Sequence, residues 1–196
     1  MIINKVCIFC ASSPKIDKEY FQAAYKLGKI LAANGTEINY GGGVVGLMGK
    51  LADAVMENGG KITGIIPVFM NKMQWAHRNI TNLVVVKDMH ERKRMMIRDT
   101  DAVIALPGGI GTLEELSEVI TLKQLGQYVR PVIILNTHGF YNDFILLLHR
   151  MIDEKFMHQI HQNIWQVVEK PEEVIPAIED APVWEKELVR FAAFEE

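Results

Sequence analysis

Three glycines, Gly108, Gly109 and Gly111, separate an apolar run, Ala102-Val103-Ile104-Ala105-Leu106, from a stretch in which Leu113, Leu116, Val119, Ile120, Leu122 and Leu125 recur at helical spacing. Strand, turn and helix follow in that order, the turn being Pro107-Gly108-Gly109-Ile110-Gly111-Thr112. Glycines let a ligand approach the backbone closely, and the unpaired N–H groups and positive dipole end of a starting helix suit a phosphate. Glu114 and Glu115 come soon after, and a carboxylate beside a phosphate repels it unless cations intervene. The run Lys87-Asp88-Met89-His90-Glu91-Arg92-Lys93-Arg94 offers those cations. Charged runs on helices are usually solvated faces. Here Arg92 and Lys93 fall in the first turns of a helix, where cations oppose the dipole at roughly a few tenths of a kcal/mol each. An anionic partner is therefore expected, and these are the cations that Glu115 and a phosphate need if this helix start and the Pro107 to Thr112 turn face one cleft. A plainer account covers part of this: if Thr112 is the N-cap, Thr112-x-x-Glu115 is a capping box whose carboxylate folds back on its own backbone. That box leaves the three glycines unexplained.

The elements that must bring these stretches together alternate in type. Strands are expected near 6–10, 37–40, 61–66, 82–86, 102–106, 131–135 and 164–168. Helices are expected over 17–33 and 47–57, from within Lys87 to Arg94 through Ile97, from Leu113, and over 140–154 and 171–179. Such alternation predicts an α/β fold, Rossmann-like and doubly wound, with a mostly parallel sheet and helices on both faces. The turns Ala11 to Pro14, Gly41 to Gly46, Lys87 to Glu91 and Pro107 to Thr112 all follow carboxyl ends of strands, where doubly wound sheets bind ligands. With 196 residues, 49% of them hydrophobic, and no linker-like or repetitive run, residues 1–196 fit a single domain. A net charge of -3 without a basic tract argues against nucleic acid as the main partner. No apolar run approaches a membrane span and no signal-peptide layout is visible, so the cytoplasm is the expected compartment.

Other candidates divide between chemistry and packing. Cys7 and Cys10 have C-x-x-C spacing, but residues three apart on a strand face opposite ways, so two buried apolar side chains are expected rather than a metal or redox pair. Ser12 and Ser13 could bond a ribose or phosphate, or cap the following helix. Gly41-Gly42-Gly43-Val44-Val45-Gly46 reads as G-x-G-x-x-G. It follows the second strand rather than the first, and Ile65-Ile66-Pro67 stands about twenty residues on where a dinucleotide site needs an acid. NAD is thereby disfavoured. Gly49-Lys50-Leu51 is not a P-loop. A second backbone cradle for phosphate or ribose remains. The segment from Val68 to Ile80, with Met70, Met73, Trp75 and His77, reads as a packed connection in preference to a wall of a base pocket. His77 is expected to be structural, and His158 and His161, half a metal site by spacing, are expected on the surface. Trp184, Phe191 and Phe194 mark a short terminal helix that packs on the domain or on a second subunit.

Three ordered stretches resemble the signatures of one family. Pro107 to Glu115 spells Pro-Gly-Gly-x-Gly-Thr-x-x-Glu, Met89 to Lys93 spells Met-His-x-Arg-Lys, and Gly41 to Gly49 is similar to a third signature. They resemble the LONELY GUY (LOG) family, the cytokinin riboside 5'-monophosphate phosphoribohydrolases, over about Val6 to Glu179. The resemblance implies hydrolysis of a small-molecule nucleotide, a cytokinin riboside 5'-monophosphate or AMP, to free base and ribose 5-phosphate. It implies neither metal nor organic cofactor, no nucleic acid or membrane partner, and a homodimer. It points to Arg92 and Glu115 as the catalytic pair. Substrate contacts would come from Ser12, Ser13, Gly42, Gly43, Gly46, Gln74, Met89 and Lys93, the Pro107, Gly108, Gly109, Ile110, Gly111 and Thr112 turn, Glu114 and Thr121. The chain departs from the family pattern at Ala11, Gln74 and Leu122, where Gly, Glu and Trp are usual.

Breaking an N-glycosidic bond develops positive charge at the anomeric carbon and requires a stabilised leaving base. A carboxylate near a helix N-terminus is expected to be ionised and so to stabilise that cation or orient water. Arg92, cationic at any working pH, can hold oxygens or polarise the base but is a poor proton donor. Rival readings are a nucleotide carrier without turnover, a dinucleotide oxidoreductase lacking its acid, and a lysine decarboxylase lacking a marked pyridoxal lysine.

Overall fold

The computed structural model describes residues 3–193. Its strands are β1 (Lys5–Phe9), β2 (Glu37–Tyr40), β3 (Ile62–Pro67), β4 (Asn82–Val86), β5 (Ala102–Ala105), β6 (Val132–Leu135) and β7 (Trp165–Val168). They form one sheet in the order β4-β3-β2-β1-β5-β6-β7, and each pair is parallel. β1, β5 and β6 are apolar runs because helices cover both their faces. The helices are α1 (Lys18–Ala33), α2 (Gly46–Glu57), α3 (Val68–Lys72), α4 (Met89–Ile97), α5 (Ile110–Gln124), α6 (Asn142–Asp153) and α7 (Val174–Glu179).

Two cores result. On one face Val6, Ile8, Ile38 and Ile104 pack with Leu27 and Leu31 of α1, Leu51 and Val55 of α2, and Ile178 of α7. On the other Cys7, Val103 and Ile134 pack with Met96 of α4, Leu116 and Ile120 of α5, Leu148 of α6, and Trp184. Cys7 belongs to the second core and Cys10 to the first, both as free buried thiols, as the strand alternation predicts.

The chain moves outward from β1 to β4, then returns to lay β5 against the other side of β1 in register Val6↔Ala102 to Phe9↔Ala105. Strand order therefore reverses between β1 and β5, and the turns after β1, β2 and β5 converge at that reversal.

Several local expectations change. α6 begins at Asn142, later than expected, because Thr137–Gly139 forms a tight 3-10 turn with His138 at φ 56°. The 171–179 helix splits into a 3-10 turn, Pro171–Glu173, followed by α7. The connection after β3 contains α3, which buries none of its residues. His161 is fully buried rather than superficial. Its Nδ1 accepts from the His158 N–H at 3.1 Å, its ring lies 6.2 Å from Trp184, and burial followed by His158 lowers its pKa to about 4. Trp184 is buried on the domain and Phe191 stacks on His158, within or beside a 3-10 stretch, Lys186–Ala193. Phe194 lies outside the described residues. No helix among the described residues is long and apolar enough to cross a membrane.

Candidate active site

α5 starts at Ile110 because Gly109, in extended conformation, acts as its N-cap without any side-chain acceptor. The first intrahelical bond at this end runs from Leu113 N–H to Gly109 O at 3.1 Å, leaving the N–H groups of Ile110, Gly111 and Thr112 without intrahelical acceptors. Thr112 is thus the third helical residue and not the cap, so the plainer capping-box account of Thr112 and Glu115 does not hold. Its side chain lies over Gly108, where a Cβ would overlap the Thr112 hydroxyl. Added Cβ atoms at Gly109 and Gly111 would meet nothing within 4 Å, which leaves this helix end open on its outer side.

α4 approaches from across the sheet end. Asp88 caps it by accepting from Glu91 N–H at 2.9 Å, and that bond first of all holds the Asp88 carboxyl below its usual range. Arg92 follows one turn on, with only 7% of its surface exposed. Its Nε donates to Ile65 O at 3.1 Å, its Nη2 to Gly41 O at 3.0 Å, and its Nη1 lies 3.6 Å from Glu115 Oε1. Glu115 is 8% exposed. Burial raises its pKa from 4.5 to about 7, with Arg92 opposing the rise and Glu114 adding to it. The ionised state expected from the helix dipole is thus corrected. A dipole contributes about 0.3–1 kcal/mol at a helix end, whereas removing a carboxylate from water costs several times that.

A cavity of about 580 Å³ opens beside this pair. Of the residues expected at the site, Arg92, Glu115, Ser12, Gly43 and Met89 line it, together with Gly109, Ile110, Gly111 and Thr112 of the turn. Ser13, Gly42, Gly46, Gln74, Pro107, Gly108, Lys93, Glu114 and Thr121 do not. Ser13 Oγ instead accepts from Lys15 N–H at 3.3 Å, and Gln74 is an exposed residue at φ 62°. Lys93 is ion-paired to Glu114 and, at 3.1 Å, to Glu118, linking α4 to α5 with its own side chain only 11% exposed. Thr121 turns its hydroxyl back to Ser117 O. Gly46 acts through the backbone: at φ 69° its missing Cβ would sit 2.5 Å from the Ser12 carbonyl carbon, so the start of α2 abuts the turn after β1. Gly41, Met48, Met70 and Trp75, none of them among the expected substrate contacts, line the cavity as well. Met70 and Trp75 lie in the connection expected to be merely packed. His77, from the same connection, is 5% exposed and bonds Asp53 at 3.1 Å, a structural role as expected.

A larger open depression, about 710 Å³, lies between α1 and the ends of β6 and β7, lined by carboxylates and lysines in near balance, away from the perturbed acid. Among the described residues no three His, Cys, Asp or Glu side chains gather as a metal site.

A family model described as "Possible lysine decarboxylase" matches residues 48–178. A probable cytokinin riboside 5'-monophosphate phosphoribohydrolase of Oryza sativa subsp. japonica, LOGL2, is 41% identical over 184 residues, covering 93% of this chain and 75% of the relative. The chain belongs to the LOG family. The cytokinin riboside 5'-monophosphate phosphoribohydrolase LOG7 of Arabidopsis thaliana is 39% identical, over 90% of this chain and 82% of its own. Among solved structures, a molybdenum cofactor carrier protein from Chlamydomonas reinhardtii superposes with a TM-score of 0.68 at 17% identity, covering 91% of this chain and 98% of that one. At that identity the likeness speaks for the fold alone. The LOG signatures thus fall on three sides of one cavity: the glycine turn at the start of α5, the Met-His-x-Arg-Lys stretch of α4, and the glycine loop after β2.

Proposed function

We propose that this LOG-family chain hydrolyses the N-glycosidic bond of adenine-type nucleoside 5'-monophosphates, cytokinin riboside 5'-monophosphates among them, to free base and ribose 5-phosphate. The observation that carries this reading is the Arg92–Glu115 pair, both members more than nine-tenths buried and 3.6 Å apart, lining the same cavity as the open N-terminus of α5. The 5'-phosphate sits at the N–H groups of Ile110, Gly111 and Thr112. The purine lies toward Met48, Met70 and Trp75, an apolar wall suited to a flat aromatic ring.

As the bond from the anomeric carbon to the base nitrogen lengthens, its electron pair leaves with the base and positive charge builds on the sugar. Glu115 is costly to ionise in the free protein, and the developing cation supplies the compensating charge. Carboxylate and cation therefore attract most strongly in the transition state. Water adds its oxygen to the anomeric carbon; one proton stays on the new hydroxyl and the other is taken up by the departing base. Arg92, held by two backbone carbonyls, keeps a fixed positive edge beside Glu115. Among the described residues no lysine lines the cavity, which counts against a decarboxylase using a pyridoxal Schiff base.

The same reading makes the protein a cytoplasmic homodimer acting on free nucleotide, without metal or organic cofactor. Light scattering of the purified chain tests the dimer. Release of adenine from AMP, and of the substituted base from its N6-isopentenyl analogue, tests the activity, with Glu115→Gln as the matched control. Release by the native chain and a loss of about a hundredfold or more in the variant are expected. Tight nucleotide binding without release would point instead to a carrier.

A further inference from the structure

Arg92 makes its hydrogen bonds to oxygen with main-chain carbonyls. Nε donates to Ile65 O in β3 and Nη2 donates to Gly41 O, directly after β2. The guanidinium thus spans the carboxyl ends of two adjacent strands, and its position is set by the sheet itself. The clamp works because nothing projects from Gly41. A Cβ built there would lie inside contact distance of Nη2 and 3.2 Å from Cζ, with Met48 Sδ a further 3.1 Å neighbour. The Met48 sulfur is the flexible part of a side chain and can move aside. The guanidinium cannot move without losing a carbonyl. Gly41 does not adopt a left-handed φ, so its requirement is space and not backbone freedom.

We infer that Gly41 is a positioning residue for the reaction, its carbonyl and its absent side chain together fixing the Arg92 guanidinium beside Glu115. The inference rests on Arg92 and Glu115 acting as proposed above. A methyl group at residue 41 pushes Nη2 off its acceptor and carries Nη1 away from Glu115. The ground-state site for phosphate, on α5, stays intact. The substitution therefore lowers kcat far more than it changes KM. Removing the opposing cation also moves the ionisation of Glu115 to higher pH, which a merely structural defect elsewhere would not do.

The test is a double-mutant cycle with Gly41→Ala and Arg92→Lys, read as base release, as melting temperature and as the pH dependence of the Glu115 carboxyl, followed by isotope-edited infrared or carbon-13 spectroscopy. In the native background Gly41→Ala is expected to lower kcat by about a hundredfold, the order that an ångström of misplacement costs, with KM within about threefold. In the Arg92→Lys background, where Nη2 is gone, the same substitution should cost less than about threefold and little melting temperature. Equal losses in both backgrounds, or an unmoved Glu115 titration in Gly41→Ala, would overturn the inference. Should Gly41→Ala fail to fold alone, recovery of folding in the double variant supports the clash with Arg92, and continued failure overturns it. If the native chain releases no base, the functional reading itself fails, and the infrared and melting arms still decide the contact.

Discussion

At the residue scale the arrangement turns on one carboxyl group. Glu115 titrates near 7 because burial outweighs the attraction of Arg92. If the carboxylate is the working form, log kcat/KM, which reports the free protein, should rise with pH and level off just above neutrality; the free substrate phosphate ionises lower, at about pH 6, so its limb is distinct. The limb near 7 should vanish in Glu115→Gln. Stability responds with a definite sign. The folded chain binds this proton more tightly than the unfolded one, so between pH 4.5 and about 7 stability falls as pH rises. The loss approaches about 3 kcal/mol above the folded value, by the conversion of pKa shift to free energy. Glu115→Gln should therefore melt several degrees higher than the native protein at pH 8 and close to it at pH 4, in calorimetry across that range. None of this was legible in the sequence. Glu115 could be found from its motif, but its ionisation depends on how much protein the sheet and α4 place around it, which no local pattern records.

At the scale of elements, the carboxyl end of β1 and the start of α2 are fitted backbone to backbone at Gly46. Gly46→Ala must both hold alanine at φ 69° and displace the Ser12 main chain 2.5 Å away. Gly59→Ala faces a similar φ of 70° with nothing within 4 Å, so it carries only the cost of a left-handed residue, about 1–2 kcal/mol. Gly46→Ala should lower the melting temperature clearly more than Gly59→Ala and also weaken nucleotide binding, whereas Gly59→Ala should leave binding intact; thermal melts with and without AMP separate the two. The strand-turn-helix unit around Pro107 to Thr112 was legible because glycine, apolar run and helical period agree on it. Its cap was less legible: Thr112-x-x-Glu115 satisfies the capping pattern, yet Gly109 is the cap, the Thr112 side chain lies over Gly108 and Glu115 faces Arg92. The resemblance implies that Lys93 and Glu114 contact substrate; they pair with each other and do not line the cavity. Arg92 faces the cavity, whereas Lys93, about 100° further round α4, has its ammonium group taken up by Glu114 and Glu118.

At the scale of the whole molecule, alternating strands and helices sufficed to foresee the doubly wound sheet, because each apolar strand needs cover on both faces. Less legible was how the chain beyond α7 seals the second core. Lys123, in the last turn of α5, is 1% exposed, and the Trp184 ring lies 5.7 Å from its Nζ. Trp184 Nε1 donates to Lys123 O at 2.8 Å. Burial lowers the Lys123 pKa from 10.5 to about 8. The unfolded chain therefore holds that proton more tightly, and the full cost, about 3 kcal/mol, is present at neutral pH and fades as pH climbs from about 8 toward 10.5. Lys123→Met should raise the melting temperature at pH 7 by several degrees, an advantage that shrinks in alkaline buffer.

The separation of Cys7 and Cys10 into different cores furnishes two internal clocks. Both thiols are buried and their pKa values are raised, chiefly by burial, so neither reacts without local opening. Cys7 lies under the layer of α4, α5 and α6, while Cys10 lines the cavity. In native-state thiol labelling, a nucleotide filling the cavity should slow the Cys10 clock and leave that of Cys7 nearly unchanged. A pair of cysteines that resembles a redox motif on paper thus times, separately, the breathing of the substrate chamber and that of the scaffold behind it.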